Sequence, residues 1–487
     1  MKTAFRQGLD KLVGEATATI DTIEPGSIVT APRKPIPLDD EAAITEVLDL
    51  AARIGAVLLD SGTGAIDTRS QIEFVAGIYG LDDIEIDVTY NTILVSARRG
   101  PTLPPVTTVR TVHYRSLDFT RLAHADRLVR RIRQLAITPG TAHRIVDGIT
   151  SSPHPYPYWM ANLAWGAMAL GIAILLGGTT IVGTTAFLTT IVIVALNRRL
   201  ARIGTPIFFQ QMVGGFIAVL PAAGLYHWRE ALHLTFAPSQ IIAAGIVVLL
   251  SGLSLVGSVQ DAITGAPITG TARFSEVVLM TGGILAGVGL AIRLIETVDI
   301  NLPGLTTSSP FGPSDPVSSL LGGAIAAGAF AAASYAERRA IPVALGAGML
   351  ASGVVSGLSF TAVGPIVASA IAAVVVGLIG GLAARRALVP PLVVAVAGIT
   401  PLLPGLAMYR GLFGVMSEQT LPGLRELATA LTIGCSIAAG VTLGEFIART
   451  IKRPHLPPGL IRPRIPGREN RLEGLTLTRR KPPRSKT

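Results

Sequence analysis

The sequence predicts a polytopic α-helical membrane protein of about ten transmembrane helices in a 5+5 inverted repeat, with an N-terminal cytoplasmic α+β domain. Three observations predict this class. Hydrophobic residues make up 49% of the 487 residues and charged residues only 15%, whereas soluble domains carry about 25% charged residues. Apolar stretches long enough to cross a bilayer recur after residue 158. One stretch of nine residues occurs twice in that part, at 245–253 and 398–406, with six identical positions.

The first 158 residues predict a soluble domain that precedes the membrane part. Residues 1–40 end in a Pro-rich segment and are expected to be a flexible lead-in. Residues 41–152 are expected to form the α+β domain. Apolar residues at helical spacing predict two helices after Glu41, and alternation from Ile84 onward predicts a hairpin followed by a third strand. Two more helices follow, over 119–135 and 141–149.

Ten apolar segments predict the membrane part. The repeated stretch lies in the fourth and ninth of them, so the first repeat is expected at 159–297 and the second at 318–448. An odd number of spans per repeat inverts the second copy, which is a known plan of secondary transporters. The expected spans are 159–177, 180–197, 207–226, 239–259, 274–295, 318–336, 341–359, 361–384, 388–409 and 427–448.

Charge predicts the orientation and excludes several classes of protein. Residues 449–487 carry twelve Lys/Arg and two Asp/Glu, which equals the net charge of +10, and they are expected to be a basic disordered tail rather than a nucleic-acid site. Arg residues concentrate in the even-numbered connections, so the positive-inside rule places both termini in the cytoplasm. Cys435 is the only cysteine, which excludes an internal disulfide and a Cys metal site. No cofactor or metal is expected.

Two interrupted apolar segments are the expected centre of the membrane part. After the first copy of the repeat, Gly and Pro residues predict an open polar turn over 260–271 that contains Thr264. In the second copy, Thr400 is followed by Pro401 and Pro404, which remove helix donors and free carbonyl groups. Such backbone is tolerated at membrane depth only inside protein or beside a water-filled cavity. A half-helix after Pro404 suits a carboxylate ligand, and a packing kink is the alternative.

Other polar residues are candidates for binding a small polar solute. Gln210 and Gln211 lie in the third span, where an amide either binds a hydroxyl or amino group or joins two helices. Arg410 either attracts an anionic group or anchors the helix at the membrane interface.

Ionisable residues near the inner ends of spans are candidates for proton coupling. Asp261, Glu276 and Glu445 are the three carboxylates in such positions. The alternative is structural ion pairing, because Arg273 and Glu276 are spaced i, i+3, and Glu445 and Arg449 are spaced i, i+4.

The chain shows no catalytic constellation, so we do not expect an enzyme. No P-loop lysine is present, which disfavours an ATP-driven pump and favours an ion gradient as the source of energy. Two alternatives remain. The alternatives to a transporter are a membrane-anchored cytoplasmic sensor or scaffold, and a hydrolase whose activity lies in the N-terminal domain.

The chain resembles the bacterial threonine/serine exporter family from Leu48 to Arg449. The resemblance implies a multi-pass plasma-membrane protein that exports L-threonine and L-serine by means of the proton gradient. It leaves open a homo-oligomer and the role of the N-terminal domain, which is either gating and sensing or assembly. The stretches that carry it are LAARIGAVLLDSGT (50–63), IDVTYNTI (86–93), FFQQMVGGFIAVLPA (208–222), GIVVLLSGLSLVGSVQDAITGAPITGTARF (245–274), PPLVVAVAGITPLLPGLAMYRG (390–411) and GEFIAR (444–449).

Overall fold

The computed structural model describes most of the chain between residues 34 and 451. The described residues are 34–100, 103–112, 117–135, 137–231, 233, 236–249, 252–297, 316–387, 389–416 and 419–451. The chain divides into two units, Met1–Arg449 and Thr450–Thr487. The first unit holds all the contacts discussed below. Most of the expected lead-in and nearly all of the expected tail lie outside the described residues.

The described part of the N-terminal α+β region, residues 34–152, contains four helices and one sheet. The helices are α1 (Glu41–Asp60), α2 (Ala65–Ile78), α3 (Phe119–Leu135) and α4 (Pro139–Ser151), and the strands are β1 (Ile84–Thr89), β2 (Thr92–Ala97) and β3 (Val106–Thr111).

The sheet of this region is antiparallel in the order β1-β2-β3, with Ile86 opposite Val95. Alternate residues of the strands are buried against α1 and α2, because period-two side chains place one face of a sheet on the core. Residues 34–36 also belong to this region, since the amides of Lys34 and Ile36 donate to the carbonyls of Ile78 and Tyr79. Ordered backbone therefore begins before residue 41, where the lead-in was expected to end.

Eight helices among the described residues are long and apolar enough to cross a membrane. The chain is a polytopic helical membrane protein. The eight helices are α5 (Tyr158–Leu175), α6 (Thr180–Arg202), α7 (Ile207–His227), α10 (Pro267–Glu296), α11 (Pro316–Ala333), α12 (Ala340–Leu358), α13 (Pro365–Ala387) and α16 (Thr420–Ile451).

Two further apolar segments are broken. The first consists of α8 (Pro238–Val247) and α9 (Gly252–Thr264). The second consists of α14 (Pro391–Ile399), a single 3-10 turn (Thr400–Leu402) and α15 (Gly405–Met416). Both interruptions fall within the repeated nine-residue stretch.

The polar turn expected over 260–271 is wrong in extent. Helix α9 continues to Thr264, and α10 begins at Pro267, so only Gly265 and Ala266 are non-helical. Gly265 adopts φ +110°, which glycine tolerates, and proline is favourable at the first position of a helix. The chain therefore reverses direction in two residues.

We name helices α5–α10 the first membrane half and helices α11–α16 the second membrane half. Within each half, glycine residues allow the helices to pack closely. In the first half, a Cβ on Gly215 of α7 would lie 2.5 Å from the Ile284 carbonyl oxygen of α10. In the second half, a Cβ on Gly377 of α13 would lie 2.5 Å from the Val441 carbonyl oxygen of α16. Small residues let helix backbones approach closely in lipid.

The two halves meet along α5 and α11. A Cβ on Gly171 of α5 would lie 2.9 Å from the carbonyl oxygen of Gly322 in α11, and a Cβ on Gly322 would lie 2.7 Å from the carbonyl oxygen of Gly171. The contact is reciprocal, with each glycine facing the backbone of the other. We call this contact the α5–α11 seam.

The two broken segments also pack across the halves. Helix α8, before the first break, contacts α15, which follows the second break. Val256 of α9, after the first break, lies in one buried apolar cluster with Ile399, the last residue of α14, and Leu402 of the 3-10 turn. The N-terminal part of each broken segment therefore packs against the C-terminal part of the other.

Candidate functional site

The second break lies in the interior of the protein, where Thr400 and Pro404 are buried. The Thr400 side chain is buried and its hydroxyl donates to the Val396 carbonyl 3.1 Å away, within its own segment. Pro401 lies in the 3-10 turn and Pro404 precedes α15, so neither residue supplies a backbone donor. Helix α15 starts directly after Pro404, which places the positive end of its dipole at the break. The arrangement suits a carboxylate-bearing solute.

The first break lies beside this one but has no proline. Helix α8 ends at Val247, and Leu249 is buried at the break. Gly245, in α8, would place a Cβ 3.5 Å from Ala218 of α7 and 3.9 Å from Thr189 of α6. Gly398, its counterpart in the repeated stretch, would place one against Val376 of α13 and Ala347 of α12.

Three other polar candidates, Gln210, Thr264 and Gln211, differ from one another in their hydrogen bonds. The Gln210 amide donates to the Thr205 carbonyl at 2.8 Å, and the Thr264 hydroxyl donates to the Gln260 carbonyl at 2.9 Å, so both serve their own segments. The Gln211 amide oxygen is buried, with no hydrogen-bond partner among the described residues, and the Cβ of Gln211 lies against Gly283 of α10. The Gln211 amide oxygen is thus able to accept a hydrogen bond from a solute.

Asp261 is the most buried of the acidic candidates. Its side chain is only 2% exposed, and its Oδ2 lies 2.6 Å from Nη1 of Arg273, which is 9% exposed. Its Oδ1 accepts a hydrogen bond from the backbone N–H of Ala65 at 3.1 Å. Ala65 is the first residue of α2, and its N-cap is Gly64, which has no side chain to cap the helix. A carboxylate from the membrane part therefore caps a helix of the N-terminal region.

Glu276 lies one turn further into the protein along α10 from Arg273 and contacts a different partner. The Tyr90 hydroxyl donates to Glu276 Oε2 at 3.2 Å, and the Tyr90 backbone N–H donates to the Thr269 hydroxyl at 3.0 Å. Tyr90 is at the tip of the β1–β2 hairpin with φ +51°, in the left-handed region. The carboxylate that pairs with Arg273 is that of Asp261. It is not that of Glu276, although Glu276 is spaced i, i+3 from the arginine.

The remaining two candidates lie elsewhere in the second half. Glu445 is partly exposed on α16, next to Gly444, whose backbone packs on Val374 of α13. The side chain of Arg449 lies outside the described residues. Arg410 is half-buried on α15, two turns after the second break. The structure thus groups Asp261, Arg273 and Glu276, with the Thr264 hydroxyl 3.3 Å from the Asp261 carbonyl, and it places Glu445 on α16 and Arg410 on α15.

Sequence reasoning missed the residues of the N-terminal region that meet this group, namely Ala65 and Tyr90. A signal for one of them was present. A helix whose N-cap is glycine lacks its own side-chain acceptor, which indicates that an acceptor comes from elsewhere. The identity of that acceptor, 196 residues further along the chain, has no local signature.

The chain matches two family profiles. The profile described as "Putative threonine/serine exporter" matches residues 49–295, which is more than half of the 487 residues, and that described as "Threonine/Serine exporter, ThrE" matches residues 319–447. The chain belongs to the threonine/serine exporter family. The boundary between the two exporter-family profiles falls between α10 and α11, where the first membrane half ends and the second begins.

Curated members of the threonine/serine exporter family cover most of the chain. A Corynebacterium glutamicum protein named "Threonine/serine exporter" is 45% identical over 425 residues, which are 87% of each chain. A Mycobacterium tuberculosis protein named "Probable threonine/serine exporter" is 40% identical over 440 residues, 87% of this chain and 82% of the relative. Both relatives are named as exporters and not as enzymes. No solved structure matches the chain.

Proposed function

We propose that this protein exports small hydroxylated amino acids, L-threonine and L-serine, across the bacterial plasma membrane. The observation that carries the proposal is the pair of broken apolar segments packed beside each other in a chain of this family. A membrane-anchored sensor, scaffold or N-terminal hydrolase needs no such breaks, since a single unbroken helix anchors a protein. Interrupted helices at the interface of two repeats are the usual binding place in secondary transporters.

The proposed architecture has ten crossings in two inverted repeats. The eight long helices supply eight crossings, and each broken segment supplies one more. Equivalent contacts in the two halves support the repeat: Gly245 packs on α6 and α7, and its counterpart Gly398 packs on α12 and α13. The close pairs α7–α10 and α13–α16 are likewise equivalent. With ten crossings and positive-inside charge, the N-terminal region, as a cytoplasmic domain, and the tail from 449 onward lie inside the cell.

The proposed substrate site lies at the two breaks. Thr400 and Pro404 are buried, neither Pro401 nor Pro404 has a backbone donor, and the start of α15 favours the substrate carboxylate. Gln211 supplies an acceptor for the substrate hydroxyl or ammonium group. Arg410 lies on the path beyond the break. Gln210 and Thr264 support the neighbouring backbone in this conformation.

Cells loaded with a threonine-containing dipeptide test the function. Intracellular hydrolysis raises free threonine, and extracellular threonine is followed with and without the gene. We expect faster accumulation outside cells that carry the gene, and the same with a serine dipeptide. Equal efflux from both strains, with the protein shown to be folded in the membrane, contradicts the proposal.

Pro404→Ala tests the role of the second break. Alanine restores a backbone donor and favours a helix that runs on from the 3-10 turn into α15, which removes the proposed site. We expect efflux of threonine to fall at least tenfold while the amount of protein in the membrane stays the same. Pro221→Ala is the matched control, because Pro221 lies inside the unbroken helix α7. Equal efflux in the two variants contradicts a site at the break.

Glu276, Asp261 and Glu445 are the proposed proton carriers, and the geometry favours Glu276. A carrier must reach water, and Glu276 is partly exposed, whereas Asp261 is buried against Arg273 and Ala65. We expect Glu276→Gln to abolish uphill efflux driven by a pH gradient but to keep exchange of labelled for unlabelled threonine. Glu296→Gln, an exposed acid at the other end of the same helix, is the control. Uphill efflux at the parental rate in Glu276→Gln rules out Glu276 as the carrier.

A further inference from the structure

Among the described residues, the N-terminal region contacts the first membrane half at the turn between α9 and α10, and we name this the first docking contact. It consists of Asp261, Thr269 and Glu276 on the membrane side, and of Ala65 and Tyr90 on the other. The hydroxyl of Thr269 also reaches the Val88 carbonyl at 3.4 Å. A helix start and a hairpin tip are therefore both held on the turn between α9 and α10.

The region contacts the second membrane half at another site, the second docking contact. Here residues 334–337, in the connection between α11 and α12, form two hydrogen bonds and one ion pair. The Phe119 amide donates to the Ser334 carbonyl at 3.0 Å, and the hydroxyl of Tyr156, in the connection from this region to α5, donates to the Ala336 carbonyl at 2.6 Å. Arg127 forms an ion pair with Glu337. The Phe119 ring meets Phe330 of α11 edge-on, with ring centroids 6.1 Å apart.

The two docking contacts are joined by a packed core. Phe119 begins α3, Ala65 begins α2, and α2 and α3 contact each other and α1. Phe119 and Ala65 are each 1% exposed. Because protein interiors pack as densely as organic crystals, such a core transmits displacement rather than absorbing it. The N-terminal region is therefore a stiff connection between the two membrane halves.

Alternating access requires the two halves to move relative to each other. This step rests on the proposed function. A stiff connection attached to both halves holds them at one relative position, and both contacts cannot persist through such a motion. We propose that the N-terminal region bridges the same face of both membrane halves in this conformation and releases one of them in every transport cycle.

The first docking contact has features of a contact that opens. Its bonds are polar, so water replaces each partner when the surfaces separate. Tyr90 occupies a backbone conformation that L-residues rarely adopt, and functional contacts are where such residues cluster. Gly64 lies so close that a Cβ on it would be 3.2 Å from Asp261 Oδ1, so the fit leaves little room for a side chain.

Chemical cross-links that hold both docking contacts closed test the proposal. The full chain carries Cys435→Ala, then Tyr90→Cys with Thr269→Cys at the first contact and Thr120→Cys with Tyr335→Cys at the second. The Thr120 hydroxyl donates to the Tyr335 carbonyl. A short reducible cross-linker joins both pairs in proteoliposomes loaded with labelled threonine. We expect efflux to fall at least tenfold on cross-linking and to return with reductant.

A matched control cross-links the N-terminal region to itself. Ser96 and Thr107 face each other across β2 and β3, with their hydroxyl oxygens 2.9 Å apart. Ser96→Cys with Thr107→Cys is expected to leave efflux unchanged after cross-linking. Parental efflux from the protein cross-linked at both docking contacts overturns the proposal. The reversal by reductant separates a held conformation from a misfolded variant.

Hydrogen exchange on the unmodified protein gives a second measurement in case the cysteine variants fail to fold. The amides of Ala65 and Tyr90 are the donors of the first docking contact, and that of Phe119 is a donor of the second. We expect threonine with a pH gradient to speed exchange at one of these contacts. Unchanged exchange at both during measured efflux overturns the bridge. Absence of threonine and serine efflux from the parent overturns the proposed function instead.

Discussion

Asp261→Asn is expected to destabilise the folded protein by about 3–5 kcal/mol. The substitution keeps the size of the side chain and the oxygen that accepts from Ala65, but it leaves the guanidinium of Arg273 buried without its carboxylate. Removal of one partner of a buried ion pair costs that much because the remaining charge is desolvated and uncompensated. Thermal unfolding in detergent, followed by the loss of the monodisperse peak, measures the effect.

Two variants define the cause of that loss. Asp261→Asn combined with Arg273→Met removes both charges and is expected to recover most of the stability, since a buried pair replaced as a whole is often close to neutral. Asp49→Asn, which removes the partner of Arg110 in a pair that is about 40% exposed on both sides, is expected to change stability by less than about 1 kcal/mol. Parental stability in Asp261→Asn with a changed pH profile of efflux favours proton coupling by Asp261 instead.

Gly283→Val is expected to prevent the first membrane half from packing. A Cβ at Gly283 would lie 2.6 Å from the carbonyl oxygen of Phe208 in α7 and 3.2 Å from the Cβ of Gln211. The nearest atom belongs to the backbone of another helix and has no rotamer with which to move away. Over-packing in a core costs about 1–3 kcal/mol, and we expect the upper end here. The expected result is a large fall in the amount of monodisperse protein and in the unfolding temperature.

The neighbouring residue is the matched control. Gly282 is in the same helix and has nothing within 4 Å of the position of its Cβ. Gly282→Val has the same helix propensity cost and the same gain in hydrophobicity, so the difference between the two variants isolates the contact with α7. Equal unfolding temperatures in Gly282→Val and Gly283→Val contradict the packing of α7 on α10 described above.

Much of the fold follows from patterns that a single sequence displays. Apolar length predicts the membrane helices, and period-two alternation around Ile86 predicts the hairpin, because both patterns report burial directly. The first break is different, since no proline lies between Val247 and Gly252. The expected long turn after Gln260 is wrong for the opposite reason. Its polar residues are compatible with helix, and the reversal needs only Gly265 followed by Ala266 and Pro267.

The site is less accessible to sequence reasoning because its partners are distant in the chain. The sequence marks Asp261, Arg273 and Glu276 as unusual, since charges in an apolar region are costly. It does not show that the N-terminal region supplies the partners of two of them, because a backbone amide such as that of Ala65 is common to every residue. Tyr90 likewise looks in the sequence like an ordinary residue of a hairpin turn. Only the tertiary structure shows whether these charged residues bind another region of the chain or serve proton transfer.

The α5–α11 seam has a mechanical consequence. Two backbones in reciprocal contact at Gly171 and Gly322 leave no side chains between them that can change rotamer. In the proposed cycle, the halves can tilt about this line but cannot slide across it or separate without opening a void. The seam therefore acts as a fulcrum, and displacement grows with distance from it. Parts of the protein far from Gly171 and Gly322 travel furthest for a given rotation, so a small tilt at the centre becomes a wide opening at the rim.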